Sequence, residues 1–143
     1  MDLIRHKGLE GQEGHEESGS AQGADITGQI IGLAIKVHRR LGPGLLESVY
    51  EKCLCWELER VGLAYARQVS LDVIYDGMNI LGAYRADIIV QKSTLLEIKA
   101  IERILPVHEA QALTYLRLSG CTHALLLNFN TVLLKDELRR FAA

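Results

Sequence analysis

The stretch Tyr84-Arg85-Ala86-Asp87-Ile88-Ile89-Val90, a short break, and Leu95-Leu96-Glu97-Ile98-Lys99-Ala100 constrain this chain more than any other segment. The two runs read as strands of a hairpin, and their apolar residues place that hairpin in a core. Asp87, Glu97 and Lys99 interrupt it with charges that a core strand excludes unless they have partners or a function. Alternation along a strand puts Glu97 and Lys99 on one face. With a three-residue turn at 91–93, Val90 pairs with Thr94 and Asp87 comes opposite Glu97, with Cβ atoms about 4.5–5.5 Å apart. Two carboxylates at that separation repel each other. A divalent cation resolves the conflict, because Mg²⁺ takes a few carboxylate oxygens and keeps several waters. Lys99 then helps to neutralise the site and to orient a water or a phosphate. The plainer reading of Glu97-x-Lys99 is a solvated face with a weak ion pair. The opposed Asp87 and the apolar surroundings argue for the site.

The rest of the chain supplies the frame. Residues 1–23 are rich in Gly, Glu, Gln and Ser and read as a flexible tail before a single domain over 24–143. Asp25 is placed to cap a helix running to about Arg40, with Ile26, Ile30, Leu33, Val37 and Leu41 as its buried stripe. Gly42-Pro43-Gly44 breaks that helix. A second helix is expected over Leu45–Val61, with Leu46, Tyr50, Cys53, Leu54, Leu58 and Val61 inward and Glu47 at the edge of that face. Tyr65–Tyr75 alternates as a strand, Asp76-Gly77 marks a tight turn, and Met78–Val90 follows with a bend at Gly82. Thr94–Ile101 is the third strand. His108–Ser119 is a helix closed by Gly120, with Gln111 in line with Tyr115 and Leu118. The apolar run His123–Phe129 reads as a central strand reached by a crossover. Val132–Phe141 is either a short strand or, over Asp136–Phe141, a helix. The element order is α-α-β-β-β-α-β plus a short tail element, an α/β fold with a mixed central sheet.

Charge and composition exclude several classes. The formal net charge is -2, so no wholesale basic surface drives nucleic-acid binding, and any such contact must use local clusters such as Lys36, His38, Arg39 and Arg40. The three cysteines form no CxxC pair, and the histidines have no zinc-ligand spacing. No apolar run is long enough to span a membrane, and the N-terminus has no signal-peptide core. A reduced, cytoplasmic protein is expected, and the apolar helix faces leave room for a homodimer.

Asp87 followed by Glu97-x-Lys99 on a hairpin flanked by helices resembles the PD-(D/E)XK nuclease superfamily. Gly44-Leu45-Leu46-Glu47-Ser48-Val49-Tyr50 is similar to the motif that names one of its branches, the GxxExxY protein family. His108-Glu109-Ala110-Gln111 with Tyr115-Leu116 looks like that family's late helix. Ala86 stands where the superfamily's name has proline, a position that carries no chemistry. The resemblance, from about residue 25 onward, implies a restriction-endonuclease-like core and a Mg²⁺-dependent nuclease site, with Mn²⁺ as a substitute. Asp87 and Glu97 would be metal ligands, joined by Glu47 as a supporting acid in the metal set, Lys99 the residue that positions water or stabilises charge, and Gln111 an auxiliary residue. DNA or RNA is the implied substrate. The alternative is a nucleic-acid-binding or protein-interaction module that keeps the fold without cleaving.

Overall fold

The computed structural model describes residues 25–143. The tail expected over 1–23 lies outside them. Asp25 Oδ1 accepts hydrogen bonds from Thr27 N (2.8 Å) and Thr27 Oγ1 (2.6 Å), closing the first turn of helix α1, Thr27–Leu41. Asp25 also pairs with Arg140, which ties the start of α1 to the end of the chain. Gly42 stops the helix at φ +71°, a left-handed conformation that favours glycine.

Helix α2 spans Glu47–Arg60, shorter at both ends than the expected Leu45–Val61. The Tyr50 hydroxyl donates to Gly42 O (2.6 Å) and accepts from Leu45 N (3.1 Å). Leu46 keeps an extended backbone just before the helix. Helical projection therefore fails at the two ends, and Leu46 (73% exposed) and Val61 are exposed rather than inward. Inside the helix Tyr50, Leu54 and Leu58 are fully buried, as their spacing requires. Cys55 is buried and Cys53 packs at the core's margin. Lys36 of α1 holds Glu57 of α2 at 3.0 Å.

Strands β1 (Tyr65–Tyr75) and β2 (Met78–Val90) fall where alternation and the Asp76-Gly77 turn put them. Their register shifts between Leu71 and Val73, opposite the expected bend, where Gly82 has φ +61° and its N–H donates to Asp72 Oδ1 at 2.7 Å. Strand β3 is Thr94–Lys99, helix α3 is Pro106–Ser119, and β4 is His123–Asn128. Pro106 occupies the first turn of α3, which starts two residues earlier than expected. The ambiguous end resolves into a short 3₁₀ turn, Leu134–Glu137, and a strand β5, Leu138–Ala142.

The sheet order is β1-β2-β3-β4-β5, antiparallel except for the β3–β4 pair that α3 connects. Helices α1 and α2 cover one face, against Ile88, Val90, Leu96, Ile98, Leu125 and Leu127. Helix α3 covers the other through Tyr115 and Leu116, against Leu71, Leu95 and Ala124. Each fully buried leucine or isoleucine in these layers contributes about 1.5–3 kcal/mol relative to exposure. Among the described residues no helix is long and apolar enough to cross a membrane.

Asn128 closes the end of the sheet beside Lys99, its register partner in β4. It is fully buried, and its amide fills every hydrogen-bonding site it has. Oδ1 accepts from Ile101 N (3.0 Å) and Asn130 N (3.2 Å), and Nδ2 donates to Ile101 O (3.0 Å) and Glu137 Oε1 (2.9 Å). Because the side chain takes both backbone groups of Ile101, β3 ends at Lys99 rather than at Ile101. Asn128→Ala strands Ile101 N and leaves Ile101 O only the Asn130 amide, and it is expected to cost about 1–3 kcal/mol in a denaturant titration. Faster amide exchange over 100–105 should accompany it. A loss under about 0.5 kcal/mol would show that the amide holds nothing.

Candidate functional site

The hairpin of β2 and β3 pairs in the register its three-residue turn dictates: Val90 with Thr94, Ile89 with Leu95, and Ile88 with Leu96. One step further the backbone ladder stops. In the same register Asp87 and Glu97 come next, and their carboxylates take over the ladder's hydrogen bonds. Asp87 N donates to Glu97 Oε2 (3.1 Å), and Ile98 N donates to Asp87 Oδ2 (2.7 Å). Each strand thus offers a backbone donor to the acid of the other. Strand β1 is irregular at the same level. Its ladder with β2 omits Gln68, the residue facing Asp87, which has φ +51°.

The acids are held in an awkward electrostatic state. Glu97 is only 5% exposed, and Asp87 is half-buried. Burial pushes Asp87 up to about 6; the fields of Glu51 and Glu47 add to that, while the Ile98 hydrogen bond and Lys99 oppose it. Burial and then the charge of Asp87 push Glu97 up to about 8, against the Asp87 N–H and Lys99. Lys99 is therefore near enough to act on both acids. It makes no ion pair within 4.0 Å among the described residues.

Glu47 opens α2 and reaches the end of β3, where its Oε2 accepts from Ala100 N at 3.1 Å. The spacing Gly44–Glu47–Tyr50 has a local cause. Gly44 turns the chain at φ +97°, and Tyr50, stacked on Phe129 with ring centroids 4.5 Å apart, pins the loop that launches the helix. Glu47 and Asp87 share an open cleft of about 580 Å³ with Leu46, Glu51, Gln68 and Ala100. Asp87, Glu97, Lys99 and Glu47 are thus brought together. Gln111 is not shown in contact with them. It is half-buried on α3, one turn before Tyr115, and its amide makes no hydrogen bond among the described residues.

Two neighbours were not assigned to the site from the sequence. Glu51 is 5% exposed, and its carboxylate accepts from Arg67 Nε (3.1 Å) and Gln68 Nε2 (3.0 Å). Its spacing of four from Glu47, on the same helical face, was the available signal. Tyr115 is buried under α3, and burial together with the fields of Glu97, Tyr84 and Asp87 raises its hydroxyl.

Glu47, Glu51, Asp87 and Glu97 lie together, with Lys99 and Arg67 as the cations that act on them among the described residues, an imbalance that a further cation relieves. Asp87 Oδ1 and Glu97 Oε1 also lack hydrogen bonds among the described residues. Hard oxygens in that state suit a small divalent ion, which needs one or two carboxylates and keeps waters. Among the described residues no group of three or more His, Cys, Asp or Glu is arranged to hold a metal ion, so Glu47 does not join Asp87 and Glu97 in a three-acid ligand set. Any ion here would rest on the two carboxylates of Asp87 and Glu97 and keep waters.

No curated protein and no solved structure matches the chain. A sequence profile of the PD-(D/E)XK nuclease superfamily matches residues 24–141. That span includes all five strands except the last residue of β5, together with the three helices and every acid of the cleft. Divalent-metal dependence and nucleic-acid substrates are typical of that superfamily. By this match and by its mixed sheet flanked by helices, the chain belongs to the PD-(D/E)XK nuclease superfamily.

Proposed function

We propose that the chain is a Mg²⁺-dependent nuclease of the GxxExxY branch, hydrolysing phosphodiester bonds of DNA or RNA. One observation carries the reading: the exchange of backbone hydrogen bonds between Asp87 and Glu97, which leaves each buried acid one free oxygen. Those oxygens of Asp87 and Glu97 would hold the ion, with Glu47 as the supporting acid. Bound there, a divalent cation would supply Lewis acidity toward the phosphate and toward a bound water.

The other roles fall to the chain's own residues. Lys99 presents an ammonium where negative charge develops on the phosphate oxygens. The carboxylate of Glu47, fixed to Ala100 N, keeps the cleft negative at its mouth. Gln111, whose amide makes no hydrogen bond among the described residues, would be the auxiliary residue that offers it to a water or a phosphate oxygen. Glu51 acts through others: it holds Gln68 and Arg67 in place behind Asp87.

The test is a cleavage panel of single- and double-stranded DNA and RNA with Mg²⁺ and with Mn²⁺, run beside calorimetric titration of each metal. Metal-dependent cleavage and a binding heat that Asp87→Ala abolishes are expected. Metal binding without cleavage of any substrate would favour the non-catalytic alternative, a nucleic-acid-binding module.

A further inference from the structure

Trp56 is the chain's only tryptophan and is 60% exposed. So large an aromatic is usually mostly buried. Its indole makes no ring contact and no hydrogen bond among the described residues. It stands on α2 with Lys52 one turn before it and Arg60 one turn after, both exposed. Beneath it runs a shallow groove of about 220 Å³, lined also by Lys52, Glu59, Tyr65 and Arg67.

This groove neighbours the acidic cleft, with one ion pair between their walls. Arg67 lines the groove, and its Nε pairs with Glu51 Oε2 at 3.1 Å; Glu51 and the next residue, Gln68, line the cleft that holds Asp87. The charges along the way are ordered. Lys52 and Arg67 are cations beside the indole; Glu51 is the acid of the ion pair, and the acids of Glu47 and Asp87 lie beyond it. Glu59 is the groove's own acid, held by the Tyr65 hydroxyl at 2.8 Å, and it presents an acceptor rather than a phosphate-binding charge.

An open indole face with cations at its edge, leading to a phosphodiester-cleaving centre, suits one occupant. We infer that Trp56 is a stacking platform for an unpaired nucleobase of a strand whose backbone passes Lys52 and Arg67 into the Asp87–Glu97 cleft. This deepens the nuclease reading and rests on it. Every base has a π-face, so stacking tolerates sequence and needs only that the base be unpaired. In a duplex those faces are already stacked on neighbours. The substrate class is therefore a single-stranded segment, and the platform selects it over paired ends.

The sole tryptophan makes the test direct. The full chain, kept from cleaving by a metal chelator at low salt, is titrated with oligothymidylate, with oligouridylate and with a blunt duplex of equal length. Both single strands are expected to quench Trp56 emission and the duplex to leave it unchanged; quenching by one strand alone assigns the platform to DNA or to RNA. Anisotropy of an end-labelled strand should show Trp56→Ala binding roughly 5- to 150-fold more weakly. Trp56→Phe should restore most of the affinity, and thermal melts of both variants should match the parent, since the ring is exposed. Unchanged emission at saturating single strand, equal quenching by the duplex, or unchanged affinity of Trp56→Ala would each overturn the inference. The nuclease reading fails separately: a chain that quenches and binds single strands but never cleaves with metal keeps the platform and loses the nuclease assignment.

Discussion

Lys99→Ala is expected to lower phosphodiester cleavage by about 10²–10³-fold while leaving the fold intact, the scale of removing one preorganised charge stabiliser. The side chain makes no ion pair within 4.0 Å among the described residues and is only half-buried, so its deletion leaves little unsatisfied. What it takes away is a cation whose field favours the ionised forms of both Asp87 and Glu97. Asp87→Ala should go further and abolish both cleavage and the heat of metal binding, since it deletes a free oxygen of the pair. It also deprives Ile98 N of its acceptor, a cost of about 1–3 kcal/mol. Relief of repulsion on Glu97 offsets part of that cost, and Asp87→Asn keeps an acceptor for Ile98 N as a control. Single-turnover cleavage beside denaturant titration separates chemistry from folding. Full cleavage by both Lys99→Ala and Asp87→Ala would sink the assignment.

The frame of this site was legible because it depends on local chemistry. Asp76-Gly77 between two alternating runs specifies a hairpin, and the boundaries of β1 and β2 followed. The turn after Val90 sets Val90 against Thr94, and that register carries Asp87 to Glu97. The missed features depend on partners distant in sequence. Glu51, followed by Lys52, reads as a solvated helix position; it is buried only because β1 brings Arg67 and Gln68 to it. Gln68 is not a residue that announces a left-handed backbone, so the kink facing Asp87 left no mark in the sequence. Leu46 misled because its hydrophobicity was projected onto a helix that starts one residue later. The chain's end was ambiguous because Leu138–Ala142 is short, and β4 supplies the pairing that makes it a strand.

Glu97→Gln is expected to stabilise the metal-free protein by about 2–3 kcal/mol at mildly alkaline pH while removing activity. Glu97 is raised from an ordinary value of 4.5 to about 8, by burial first and by Asp87 second. Between those two values the native state holds a proton that the unfolded chain has released. Metal-free stability therefore falls as pH rises through that window and is recovered as pH falls back through it. Asp87, raised from 3.8 to about 6, adds the same sign at lower pH. The amide introduced by Glu97→Gln keeps an oxygen for Asp87 N and carries no charge, so the variant's stability should vary much less over the same range. Metal binding competes for the same state, because the ligands must be deprotonated. Affinity of the parent for Mg²⁺ should then rise about tenfold per pH unit between about 6 and 8, as one proton leaves Glu97 for each ion bound. Saturating metal should raise the parent's melting temperature and leave that of Glu97→Gln unchanged. Melting curves across pH, with chelator and with Mg²⁺, decide the matter. A variant less stable than the parent at pH 8 in chelator would mean that the Glu97 carboxylate is a structural asset, not a charge kept at a cost for the ion.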